Sequence, residues 1–234
     1  MEPHRTFYTN GQIWTEEFHQ NGKREGERKT WYENGQLLSR EPYRDGKREG
    51  EFQTWHEDGK MCGYAHFRDG KLEGKSETWH PNGQLSLQEH YRNGKLEGEN
   101  RSWYENGQPS IMEFYHDGKR EGEFKSWWEN GQLALWAFYR DGKLDGKIQS
   151  WRENGLPEQY EHYRDGTLNG ESKALHADGS IAYYNYNNDG NIRDFGFSSK
   201  KKIGILKTKN RFHSIYHVPI DTYIISDLLN TISL

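Results

Sequence analysis

Residues 31–50 read Trp31-Tyr32-Glu33-Asn34-Gly35-Gln36, then six residues, then Tyr43-Arg44-Asp45-Gly46-Lys47-Arg48-Glu49-Gly50. The next copy follows at once: Trp55-His56-Glu57-Asp58-Gly59-Lys60, then Phe67-Arg68-Asp69-Gly70-Lys71-Leu72-Glu73-Gly74. The step is 24 residues, and it persists without insertion or deletion. One glycine series runs from Gly11 and Gly35 to Gly179, a second from Gly22 and Gly46 to Gly190, and a third from Gly26 and Gly50 to Gly170. Together they hold 23 of the 26 glycines. A strict period of this length marks a repeat architecture in which each unit buries its surface against its neighbours.

The residues around the glycines predict hairpins. In the first two series the preceding residue is Asn or Asp, as in Asn34-Gly35 and Asp45-Gly46. These dipeptides suit two-residue type I′ turns, whose two central residues both need positive φ. Turn signals thus alternate at spacings of 11 and 13 residues. Strands of roughly five to seven residues fit between them. The third glycine, four residues after the second, predicts a bulge or a close backbone approach. Aromatic residues keep the register. Trp31, Trp55, Trp79, Trp103, Trp127 and Trp151 stand four residues before first-series glycines. Tyr43, Tyr91, Tyr115, Tyr139 and Tyr163, with Phe67, stand eight residues after them. Ile13, Leu37, Met61, Leu85, Leu133 and Ile181 stand two after, interrupted by Pro109 and Pro157.

The expected fold is all-β: an elongated antiparallel β-meander of about eight 24-residue hairpin repeats over residues 1–194, with a short, partly helical capping segment over residues 195–234. At roughly 4.8 Å per strand, sixteen strands would span about 75 Å before twist. Twist has a fixed hand, so the surface is expected to curl into a groove with one aromatic-lined side. Composition agrees. Leu, Ile, Val and Phe supply only about 17% of the 234 residues, but aromatic side chains supply 15% and the net charge is only −4. Rings replace the usual aliphatic core, and the near-balanced charge argues against disorder.

The Trp and Tyr motifs resemble the MORN repeat, in the variant class built on an aromatic-x-x-Asn-Gly-Gln/Lys half and a Tyr-x-Asp-Gly-Lys-x-x-Gly half. The resemblance covers about residues 5–194. It is similar to repeats in bacterial proteins, some of them antitoxin-like, and in large DNA viruses. It departs from the eukaryotic form, whose Gly-x-Gly spacing is denser. A shared fold does not assign a function, which resides in particular sites.

Composition changes after Phe195. Lys200, Lys201, Lys202, Lys207, Lys209 and Arg211 make a basic stretch interleaved with Ile203, Ile205 and Leu206. After Pro219, a helix capped by Asp221 would place Ile224, Ile225, Leu228, Leu229 and Ile232 on one face. That helix would cover the last sheet edge, dock a second copy or another protein, or hold weakly to a membrane.

No catalytic constellation is visible. His56, His80 and His176 follow the aromatic ladder, and His66, His90 and His162 precede the tyrosine ladder. Equivalent positions lie two strands apart, about 9.6 Å, too far for a shared metal at about 2 Å. These histidines are expected at the sheet surface. Cys62 is the single cysteine, which excludes an internal disulfide and fits a reducing compartment. Residues 1–5 lack a secretory pattern, and no long apolar run would span a membrane. The expectation is an intracellular, soluble protein, in a host cell or virion if viral, without cofactor, metal or enzymatic activity. Two functions remain open. One is a scaffold for a protein partner or self-association, through Trp31, Trp55, Trp79, Trp103, Trp127, Trp151 and the five tyrosines. The other is a binder of anionic surfaces, phospholipid headgroups or nucleic acid, through the six basic tail residues.

Overall fold

The computed structural model describes residues 2–188, 191–198 and 201–207, and no helix occurs among them. They fall into two compact units, Met1–Lys143 and Leu144–Leu234. In the first unit every main strand pairs antiparallel with the next in sequence. Gly26–Trp31 pairs with Leu37–Arg44, Leu37–Arg44 with Gly50–Trp55, and Gly50–Trp55 with Met61–Arg68. The same order runs on to Leu133–Arg140. This is the expected meander.

The two turn types differ, although both read Asn/Asp-Gly. At the second series both central residues have positive φ, 55° at Asp45 and 81° at Gly46, as a type I′ turn requires. The first series corrects the sequence reading, because there only the glycine is left-handed: Gly35 has φ 85° and Asn34 is not among the positive-φ residues. Gly35 donates to the Tyr32 carbonyl at 2.9 Å, and Tyr32 donates to the Gln36 carbonyl at 2.8 Å. The turn is therefore a wider one closed by a left-handed glycine. Asn34 is selected for its side chain: its Oδ1 accepts the Gln36 N–H at 2.9 Å. Beside this turn the pairing slips, with Thr30 opposite Ser39 but Trp31 opposite Leu37. Pro109 and Pro157 sit at this slip as the first residues of their strands, where a missing N–H is tolerated.

The third glycines are bulges, as expected. Gly50 has φ 109°, and the Glu49 N–H before it reaches back to the Pro42 carbonyl at 3.0 Å. The strand therefore breaks between Lys47–Arg48 and Gly50–Trp55.

In the second unit Gly146–Trp151, Pro157–Arg164, Thr167–Leu175, Ile181–Asn188, Asn191–Ser198 and Lys201–Lys207 pair in order, all antiparallel. Pairing thus runs on past residue 194, and Lys201, Lys202 and Lys207 lie on a strand. Lys200, Lys209, Arg211 and the expected helix with Ile224, Ile225, Leu228, Leu229 and Ile232 lie outside the described residues.

Burial falls mostly on small and polar side chains, with Tyr184 the buried aromatic residue among those described. Thr30, Ser39, Glu41, Ala65, Asn100, Ala137 and Ser172 are buried. Thr30 and Ser39 satisfy each other across the strands, their hydroxyl oxygens 2.6 Å apart. A sheet built this way relies on cross-strand pairs, each worth about 0.2–1 kcal/mol.

Candidate interaction surfaces

The six tryptophans each close a return strand beside a first-series turn, and the tyrosines stand at the other end of the same hairpins: Trp31 pairs with Leu37, Gly26 with Tyr43. The hairpins therefore keep the Trp row and the Tyr row apart, at opposite ends. All six tryptophans and all five tyrosines are half-buried.

Alternation places Ser39, Glu41 and Tyr43 on one face, and their contacts agree. Glu41 is 5% exposed. It accepts from Arg28 at 2.7 Å, Arg48 at 2.9 Å and the Tyr43 hydroxyl at 3.0 Å. Burial pushes its carboxyl up, but the bonds from Arg48 and Tyr43 and the charge of Arg28 outweigh it and hold Glu41 below its ordinary range. Tyr91, Tyr115 and Tyr163 likewise donate to Glu89, Glu113 and Glu161, at 2.9, 3.1 and 2.9 Å. Burial, then the bonded carboxylate, pushes the Tyr91 and Tyr163 hydroxyls up to about 12.

Two repeats replace the carboxylate by Ala65 and Ala137, and there the opposite residue is Phe52 or Phe124. Phe52 meets Phe67 edge-on at 6.1 Å, and Phe124 meets Tyr139 at 6.1 Å. The substitutions are paired: a ring fills the space that the carboxylate vacates. Arg48 and Arg120 serve both environments. Each bonds the neighbouring Glu and stacks its guanidinium 5.3–5.5 Å from two ring centroids.

His90 and His176 are exposed, as expected for the sheet surface, whereas His80 and His162 are half-buried and tied to backbone carbonyls. His80 Nε2 lies 2.8 Å from the Trp103 carbonyl, the tie that Tyr8, Tyr32 and Tyr104 make to the carbonyls of Trp31, Trp55 and Trp127 at 2.7–2.9 Å. His162 Nδ1 lies 2.7 Å from the Asn169 carbonyl. A carbonyl only accepts, so in each case that ring nitrogen carries the proton. These columns tie neighbouring repeats together. In the second unit Arg152 makes the equivalent contact, to Leu175 at 2.8 Å. The shared requirement is a donor of the right reach, which residue identity alone conceals.

The sequence reading also passed over Trp136 and Phe138, which flank Ala137 on the opposite face. Their rings meet at 90° and 5.5 Å, and Phe138 stays 37% exposed. Strand parity around Ala137 is the signal for them, and the bulges obscure it.

No helix among the described residues is long and apolar enough to cross a membrane. No curated protein matches the chain. The family described as the MORN repeat variant matches residues 24–45, 48–69, 72–93, 96–119 and 120–135. Five consecutive stretches thus match; the inner boundaries fall beside the second-series turns, and the last stretch ends within Leu133–Arg140. Residues 24–135 of this chain are accordingly MORN repeats of the variant class.

Proposed function

We propose that the chain is a non-catalytic scaffold that binds a protein partner or assembles through its repeated aromatic surface. MORN repeats are commonly protein or membrane-interaction scaffolds, and the family is generally non-catalytic. One observation carries the reading. Half-buried tryptophans and tyrosines return at fixed places in successive repeats, and Tyr43, Tyr91, Tyr115 and Tyr163 are held there by carboxylates. Rings fixed in this way lose little freedom on binding, and aromatic side chains are the usual anchors of protein interfaces. The alternative, an anionic surface bound through the basic tail of Lys200, Lys201, Lys202, Lys207, Lys209 and Arg211, is separated by the same experiment.

The test is capture from native lysate by the full-length protein with nuclease present, in about 0.15 M salt, beside a Lys201→Glu/Lys202→Glu variant. The expected result is a specific protein retained equally by both forms, whose binding shields peptides of the Trp and Tyr rows from hydrogen exchange. Recovery of only lipid or nucleic acid, lost in the variant and at high salt, would replace the scaffold with the anionic-surface reading.

A further inference from the structure

The alternation of two turn types sorts charge to opposite rims of the first unit. Second-series turns stack on one rim. Gly46 donates to the Arg24 carbonyl at 2.8 Å, Gly70 to Arg48 at 2.9 Å, and Gly94 to Leu72 at 2.8 Å. First-series turns stack on the other, where Asn10 reaches the Glu33 carbonyl at 3.0 Å and Asn82 the Glu105 carbonyl at 2.6 Å.

The second-series rim is basic at its outermost positions. Lysine and aspartate of successive turns largely cancel there, as in Lys23–Asp45 and Lys95–Asp117, both at 2.7 Å. Arg44, Arg68, Arg92 and Arg140 are exposed on the same rim, and Arg68 and Arg92 also pair with the bulge residues Glu73 at 3.9 Å and Glu97 at 3.3 Å. Of the bulge glutamates near this rim Glu121 is exposed, whereas Glu73 and Glu97 are more withdrawn than the arginines they pair with. Glu73 and Glu97 are 25% and 21% exposed, against 66% for Arg68 and 67% for Arg92, and they accept the turn N–H groups of Asn93 and Asp117. The first-series rim carries exposed Glu33, Glu57, Glu105 and Glu129. Its one lysine in these turns, Lys60, is held by Asp58 at 3.0 Å and the Pro81 carbonyl at 3.1 Å.

We infer that the first unit associates side by side with a second copy of this chain, the arginine rim of one against the glutamate rim of the other. Both rims belong to one meander, so their charges recur at the same spacing, every second strand, or about 9.6 Å. A lateral shift of a parallel copy sets the two ladders against each other without mismatch. The gaps fix the stagger. The basic series is interrupted at His116 and the acidic series at Pro81. A displacement of one repeat places these gaps together and sets Arg68 against Glu33 and Arg92 against Glu57. The contact is heterologous, so it leaves one rim of each kind free and continues to further copies. A foreign polyanion would satisfy one rim only; a second copy satisfies both.

This inference rests on the scaffold reading and names its partner. The two fail separately, since a chain that stays monomeric here can still retain a foreign protein in the capture experiment. Sedimentation velocity of the full-length protein is followed against concentration, at about 0.02 M and about 0.5 M salt. The Debye length is about 10 Å at 0.1 M and about 3 Å at 1 M, so the ladders interact strongly only at the lower salt. The expected result is at least a doubling of weight-average mass at low salt, lost at high salt. Two variants, Arg68→Glu/Arg92→Glu and Glu33→Lys/Glu57→Lys, should each remain monomeric, with circular dichroism and melting as in the wild type. Mixing them restores association, because the reversed arginine rim of one now faces the reversed glutamate rim of the other. A wild type that stays monomeric at low salt, or variants that associate alone as the wild type does, overturns the inference.

Discussion

Glu41 shows how a single carboxylate organises a hairpin without a conventional core. It is a charge in a face otherwise buried by Thr, Ser, Asn and Ala, and four residues donate to it, Arg28, Ser39, Tyr43 and Arg48. Removing one member of a buried ion pair costs about 3–5 kcal/mol. Arg28 and Arg48 keep 24% and 41% of their side-chain surface in water, which lowers the expectation for Glu41→Gln to about 1–3 kcal/mol at pH 7. The folded carboxyl ionises below its unfolded counterpart. Its contribution is therefore complete above the ordinary carboxylate value of about 4.3 and disappears as pH falls through the lowered folded value. Urea melts of wild type and Glu41→Gln should differ at pH 7 and draw together as pH falls below the ordinary carboxylate range. A gap that does not change with pH would show that shape, not charge, is what Glu41 supplies. The half-buried tyrosines act in the opposite window. The hydroxyls of Tyr91 and Tyr163 are pushed up to about 12, so their stabilisation is complete below about 10 and fades as pH rises towards 12.

At the scale of the element, identical dipeptides do different work at the two ends of a hairpin. Asn93 occupies φ 53° in a type I′ turn, whereas Asn82 uses its side chain, accepting from Gln84 at 2.9 Å and donating to Glu105 at 2.6 Å. Glycine can replace the first role but not the second. Asn93→Gly should change stability by less than about 1 kcal/mol, since relief of left-handed strain opposes the added unfolded-state freedom. Asn82→Gly loses two hydrogen bonds, about 1 kcal/mol each. Equal urea midpoints for the two variants would remove the distinction between the turns. The comparison also shows what a sequence can carry. Period, strand order, bulge glycines and the type I′ turns were legible because each depends on a local dihedral that few residues satisfy. The wider first-series turn was not, because Asn-Gly satisfies both geometries. The inter-repeat ties were hidden for another reason: Tyr32, His80 and Arg152 share a task but no residue type. The face pairing of Glu41 with Arg28, and of Ala65 with Phe52, needed the register that two bulges per repeat disturb.

At the scale of the molecule, the interactions of the first unit are overwhelmingly between neighbours. Each inner main strand pairs with the strand before it and the strand after it. The ties that skip a hairpin, such as Tyr32 to Trp55 or Lys95 to Asp117, reach one repeat further and no more. Stability in such an array is a sum of local terms joined at interfaces, so damage should remain local until an interface fails. Gly94→Val tests this. Gly94 has φ 81°, and an added Cβ would lie 3.5 Å from the Lys71 Cβ, so the β-branched side chain meets a forbidden dihedral without a severe clash. Hydrogen exchange should quicken in Leu85–Arg92, Gly98–Trp103 and the strands beside them, while Gly26–Trp31 and Leu133–Arg140 keep wild-type protection. If protection instead falls equally from His4–Phe7 to Leu133–Arg140, the unit folds as one cooperative body. The interfaces between repeats would then be stronger than the repeats themselves, and a partner bound at any one repeat would be felt by all of them.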